Sequence, residues 1–105
     1  LPLGASLKEH GHHLPLNNDQ IIADFLTAEI GKRCDIVILP TVNYSFYPAF
    51  SEYPGSVTLT QNTAAAMIAE ICLSIASFGP RKFYVLNTGV STQKALKQAL
   101  GRIQK

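Results

Sequence analysis

The chain reads as an α/β fold, a three-layer α/β/α arrangement built on a largely parallel sheet. Three observations predict it: a β-branched run at residues 35–39 with a second strand-like run at 82–86, apolar positions recurring at helical intervals between and after them, and Pro or Gly at the junctions. Alternating strands and helices imply right-handed crossovers. Ligands of such sheets lie beyond the carboxyl ends of the strands, so the loops that follow Gly4, Pro40 and Asn87 should converge there.

Taken in order, Leu1-Pro2-Leu3-Gly4 fits the end of a strand, with Gly4 releasing the backbone into a loop over residues 5–16. Ile21, Ile22, Phe25, Leu26 and Ile30 define an amphipathic helix over residues 19–30, closed by Gly31. Asp19 falls in its first turn, where the helix dipole favours a carboxylate. Residues 35–39 form a nearly continuous β-branched run, the signature of a strand buried on both faces, and Pro40 ends it. Residues 41–54 make a long loop carrying Tyr44, Phe46, Tyr47, Phe50 and Tyr53; its aromatics can wall a pocket, fill a subunit contact or pack onto the sheet. Residues 55–60 give a brief strand. A helix follows over residues 62–78, with Ala64, Met67, Ile68, Ile71 and Ile75 as its stripe and Gly79-Pro80 as its stop. Residues 82–86 are the next buried strand, and Asn87-Thr88-Gly89 turns the chain into a last helix that starts at Ser91 or Thr92 and ends at Ile103. Its buried stripe is Ala95, Leu96, Ala99, Leu100 and Ile103.

The 105 residues suit one small domain, and an apolar share of 47% against 15% charged is globular rather than disordered. A net charge of +2 is too small for an electrostatic nucleic-acid binder. Lys94, Lys97, Arg102 and Lys105 read as one solvated helix face. No apolar run reaches the length of a membrane span, and the start lacks a charged segment followed by an apolar one. Cys34 and Cys72, with 37 residues between them, both sit in apolar surroundings and read as reduced core thiols, in keeping with a cytoplasmic protein.

The chemistry concentrates in one stretch. Residues 8–19 hold Glu9, His10, His12, His13 and Asp19, which include all three histidines of the chain. Imidazole and carboxylate suit a borderline divalent cation such as zinc or manganese. No Ser-His-Asp arrangement, phosphate-cradling glycine loop or paired-cysteine motif competes with a metal site.

Pro2-Leu3-Gly4, Glu9-His10-Gly11, His13-Leu14-Pro15-Leu16 and Asp19 together resemble the opening signature of the creatininase family, creatinine amidohydrolases and related metal-dependent amide hydrolases. Pro40-Thr41-Val42-Asn43-Tyr44, Tyr53-Pro54-Gly55-Ser56-Val57-Thr58-Leu59 and Arg81-Lys82-Phe83-Tyr84-Val85-Leu86-Asn87 extend the resemblance in order along the chain. It implies metal ligation by Glu9, His10 and Asp19, the last bridging two ions, and a substrate pocket near His13, Tyr44 and Asn87. It also implies hydrolysis of a small, cyclic amide by metal-activated water. Family members are about twice this length, so the chain is expected to be the N-terminal half of the fold, cut short at both ends. Lys8 stands where the family commonly has glutamate, and Gly89 where it has a histidine ligand, which implies an incomplete metal site. The other reading is a non-catalytic binding or assembly domain that keeps the fold. In either case a half-length α/β domain leaves apolar surface for another copy to cover, and a homo-oligomer is expected.

Overall fold

The computed structural model describes residues 1–104. Strand β1 (Pro2–Ser6) is followed by helix α1 (Asn18–Gly31), strand β2 (Val42–Tyr44), helix α2 (Gln61–Ala76), strand β3 (Leu86–Asn87), a 3-10 turn at Val90–Thr92, and helix α3 (Gln93–Ile103). The sheet runs β2-β1-β3, and both pairings are parallel: Leu3 faces Val42, and Pro2 faces Leu86. Because β1 is central, every one of its residues is buried.

Two layers of helix cover the sheet. Leu3 and Val42 pack with Ala65, Ile68 and Ala69 of α2 and Ala99 of α3 in the main core. Small residues let α2 and α3 approach, and polar side chains tie them at one end, where Gln61 donates to Gln98 (2.9 Å) and Gln98 donates to Asn62 (2.7 Å). Thr60 caps α2 through its hydroxyl, which accepts from the Thr63 amide. On the opposite face α1 lies so close to β1 that a Cβ on Gly4 would come within 2.8 Å of the Gln20 Cα. Gly4 is therefore not the exit from the strand; it sits inside β1, and its missing side chain is what admits the helix.

The helices fall within about two residues of where periodicity puts them, but α1 buries an unexpected side. Toward the sheet it turns Asp19 and Ala23, while Ile21, Ile22, Phe25 and Leu26 are exposed, Phe25 by 63%. With the backbone of β1 against it at Gly4, the sheet-facing side has room only for small residues. Leu100 of α3 is exposed in the same way.

Three expected strands are corrected. Residues 35–39 and 82–85 form no strand and are largely exposed, Val37 by 88% and Tyr84 by 76%. A strand needs a partner, and β1, the strand between them, starts at Pro2. Residues 55–60 likewise form no strand: Gly55 is in a turn, and the segment after it is bonded to two loops, Val57 donating to the Leu7 carbonyl (2.9 Å) and Leu59 to that of Ser45 (3.0 Å). Cys72 is buried but Cys34 is exposed, so only one of the two thiols belongs to the core.

Candidate functional site

At the carboxyl end of β1 the chain enters a loop that the following elements stitch in place. The Lys8 amide donates to Leu16 (2.8 Å), and the Glu9 amide donates to the Ser56 hydroxyl (3.1 Å). The Thr88 hydroxyl, in the turn after β3, lies 3.2 Å from the Leu3 carbonyl and 3.0 Å from the Asp19 carbonyl. The loops after all three strands thus meet at one edge of the sheet.

His10 and Asp19 face each other there, with Nε2 4.0 Å from Oδ1. The other ring nitrogen, Nδ1, is 3.1 Å from the Lys8 carbonyl. A proton on Nδ1 donated to that carbonyl leaves the Nε2 lone pair directed outward, the arrangement that prepares an imidazole to bind a cation. Asp19 is only 7% exposed, and its Oδ2 has no hydrogen-bond partner among the described residues. Burial pushes the Asp19 carboxyl above the ordinary carboxylate range, an effect that His10 and Asn18 partly offset. The hydroxyls of Ser6, at the end of β1, and Ser45, just after β2, are also buried without partners. Unpaired buried oxygens are costly, and these lie on segments that end at the same sheet edge.

As a test of metal fit, His10 and Asp19 qualify: one imidazole nitrogen and one carboxylate oxygen, separated by more than a hydrogen bond but within the span of two donors on one cation. Glu9 is turned elsewhere, its Oε1 accepting from the Gly11 amide (2.8 Å). Among the described residues no group of three His, Cys, Asp or Glu side chains converges.

Of the residues expected near a pocket, Tyr44 ends β2 half exposed, and His13 lies in an exposed stretch of loop. Asn87 has its side-chain oxygen committed to the turn, accepting from the Gly89 amide (3.0 Å) and the Thr92 hydroxyl. Gly89 has an extended backbone, with φ −115°, so a side chain there meets no left-handed strain; a Cβ would instead crowd Ala5 and Thr92 at 3.3 Å.

Sequence reasoning missed Lys8, which is fully buried. Its ammonium donates to the carbonyls of Tyr47 and Ala49 (2.9 Å for the latter) and lies 4.6 Å from the centre of the Tyr47 ring. Burial lowers the Lys8 ammonium below its ordinary value, partly offset by Glu52. Burial also raises the Tyr47 phenol, and the Asp19 charge adds to that. Lys8 therefore clamps the aromatic loop over the edge that carries His10 and Asp19. The only signal in the sequence was a lysine inside a motif that otherwise favours an acid.

A parallel sheet covered on both faces, with a loop imidazole and a carboxylate from the first turn of α1 at its carboxyl edge, defines an α/β domain whose polar side chains gather where such sheets carry their sites. More narrowly, the chain belongs to the creatininase family: the family model described as creatinine amidohydrolase matches residues 1–105. A creatinine amidohydrolase of Pseudomonas putida is 25% identical over 92 residues, which are 83% of this chain and 35% of that protein. The crystal structure of a creatinine amidohydrolase (creatininase) superposes with a TM-score of 0.85 at 22% identity, covering 98% of this chain and 43% of that one. A tryptophan mutant of creatininase gives 0.85 at 21%, with the same coverage. The chain thus spans about a third of the length of the curated relative and under half of the solved structures.

Proposed function

We propose that this chain is the metal-binding N-terminal portion of an amidohydrolase acting on a small, cyclic amide, with His10 and Asp19 as ligands to zinc or manganese and Glu9 as a third donor once its carboxylate leaves the Gly11 amide. The observation that carries the reading is the His10–Asp19 pair, with a free imidazole nitrogen facing a buried carboxylate that has an unpartnered oxygen. A divalent cation supplies polarisation of the amide carbonyl and a water that ionises near neutral pH. The protein's own part is to hold His10 by the Lys8 carbonyl, to keep Asp19 dry, and to set the Tyr44–Tyr47 segment beside the pair for an uncharged ring to pack against. Asn87 and His13 are the remaining pocket candidates. Free thiols at Cys34 and Cys72 support a cytoplasmic setting, and a net charge of +2 gives no electrostatic reason for a nucleic-acid or membrane partner.

A catalytic zinc commonly keeps about three protein ligands besides water, so the 105-residue chain by itself should bind divalent metal weakly and hydrolyse amides slowly or not at all. Elemental analysis and zinc or manganese titration, with His10→Ala alongside, test this. Near-stoichiometric metal that survives dialysis and disappears in the variant would mean that the site is complete in this chain and that residues beyond Glu9 and Asp19 join His10 in building it.

The outward apolar face of α1 favours a second reading, a homo-oligomeric assembly domain. Ile21, Ile22, Phe25 and Leu26 form a contiguous surface of the kind another chain covers. Light scattering that finds a strict monomer at every accessible concentration would remove this reading.

A further inference from the structure

Residues 7–9 lead into the site with their backbone already bonded to other segments. The Leu7 carbonyl accepts from the Val57 amide (2.9 Å), the Lys8 amide donates to the Leu16 carbonyl (2.8 Å), and the Glu9 amide donates to the Ser56 hydroxyl (3.1 Å). The Lys8 carbonyl faces His10 Nδ1 at 3.1 Å. This carbonyl and the Glu9 N–H are the two ends of one peptide group, which is planar and, here, trans. In a trans peptide the N–H and C=O bonds point to opposite sides of the chain. An acceptor that fixes the first therefore fixes the direction of the second.

That acceptor comes from 47 residues away in sequence and is itself held in place. The Ser56 amide donates to the Tyr53 carbonyl (3.2 Å), closing a turn in which Gly55 takes a φ of +91°. Leu16 lies against this turn, so close that a Cβ on Gly55 would stand 3.2 Å from its Cδ1. The turn thus docks on the same residue whose carbonyl anchors the Lys8 amide. Earlier in the loop, the Tyr47 and Ala49 carbonyls accept from the Lys8 ammonium. The loop over residues 45–56 therefore grips the Lys8–Glu9 peptide twice, once through a side chain and once through the backbone.

What the grip decides is a tautomer. A neutral imidazole carries one ring proton, and a well-placed acceptor at one nitrogen draws the proton there. With the Lys8 carbonyl held toward Nδ1, Nε2 keeps its lone pair on the side of Asp19, 4.0 Å away. His12 and His13, by contrast, are exposed on the loop.

We infer that Ser56 is a positioning residue for His10: by accepting from the Glu9 amide it turns the Lys8 carbonyl onto Nδ1, and so selects the tautomer whose Nε2 is free to bind a cation. It acts through the peptide group between them. The inference rests on the proposed metal role of His10 only for the use made of the free nitrogen; the tautomer itself needs no metal.

The test is nitrogen NMR of the imidazole rings in the chelator-treated 105-residue chain at about pH 8.5, above the ordinary imidazole range, where bare and protonated ring nitrogens are distinguished by their shifts. His10 is expected to be protonated mainly on Nδ1, with His12 and His13 showing the mixture of solvated rings. Ser56→Ala should move the His10 ratio about fivefold toward Nε2–H, the worth of one ordinary hydrogen bond. Ser56→Thr, which keeps the hydroxyl, should leave the ratio as in the unaltered chain. Thr58→Val is the control for general loosening: it removes the acceptor of the Tyr47 amide (2.9 Å) and should speed proteolysis within residues 45–55 without moving the ratio. An unaltered His10 protonated on Nε2, a ratio unmoved by Ser56→Ala, or equal shifts in Ser56→Ala and in either Ser56→Thr or Thr58→Val would overturn the inference. Zinc or manganese titration of the same chain reports separately on the proposed function, so a failure of metal binding and a failure of the tautomer are read in different experiments.

Discussion

The two ends of the sheet are made from similar material and have opposite fates. At the carboxyl end, loops after β1, β2 and β3 are cross-bonded around His10 and Asp19, with Lys8 fully buried. At the amino end, Ile36, Val37, Ile38, Phe83 and Tyr84 are apolar and yet remain exposed. What separates them is the reach of β1, which supplies partners on one side only. Pairing, more than composition, decides whether a β-branched run becomes a strand.

Substitutions can break that comparison. The largest effect is expected from Gly4→Val, because side-chain atoms would enter the α1 backbone at under 3 Å. A loss of about 3 kcal/mol or more is expected from such overpacking, read as an early midpoint in urea unfolding. Lys8→Ala comes next: it strips the donor from the Tyr47 and Ala49 carbonyls and opens a void under the loop. About 2 kcal/mol is expected for two stranded acceptors, together with faster proteolysis within residues 45–55. Smallest is Val37→Ser at the amino end, expected to stay within about 0.5 kcal/mol because the side chain touches little. If Val37→Ser cost as much as Lys8→Ala, the two ends would not differ as described.

The helices were legible in the sequence because helical hydrogen bonds are local and apolar recurrence marks their span. The Thr60 cap on Thr63, three residues on, is equally local but went unread, because residues 55–60 were expected to be a strand. Strands at residues 35–39 and 82–86 were not legible, since their formation depends on residues across the sheet. The outward face of α1 was invisible for a related reason: periodicity gives a helix an apolar side without saying which neighbour is present to cover it. Within the site, the meeting of His10 and Asp19 follows from β1 and α1 packing at Gly4. Lys8 was hidden because a lysine is normally solvated, and nothing in its neighbours announces two carbonyls 39 and 41 residues away.

The unequal cysteines have a practical consequence. Cys34 is exposed and lines an apolar cavity at the amino end of the sheet, whereas Cys72 is buried in the core with its thiol raised by desolvation. A thiolate-selective reagent should therefore label the molecule in two kinetic phases. The fast phase reports access to the sheet's open end, and the slow one reports opening of the core, so one alkylation time course would follow both ends of the protein at once.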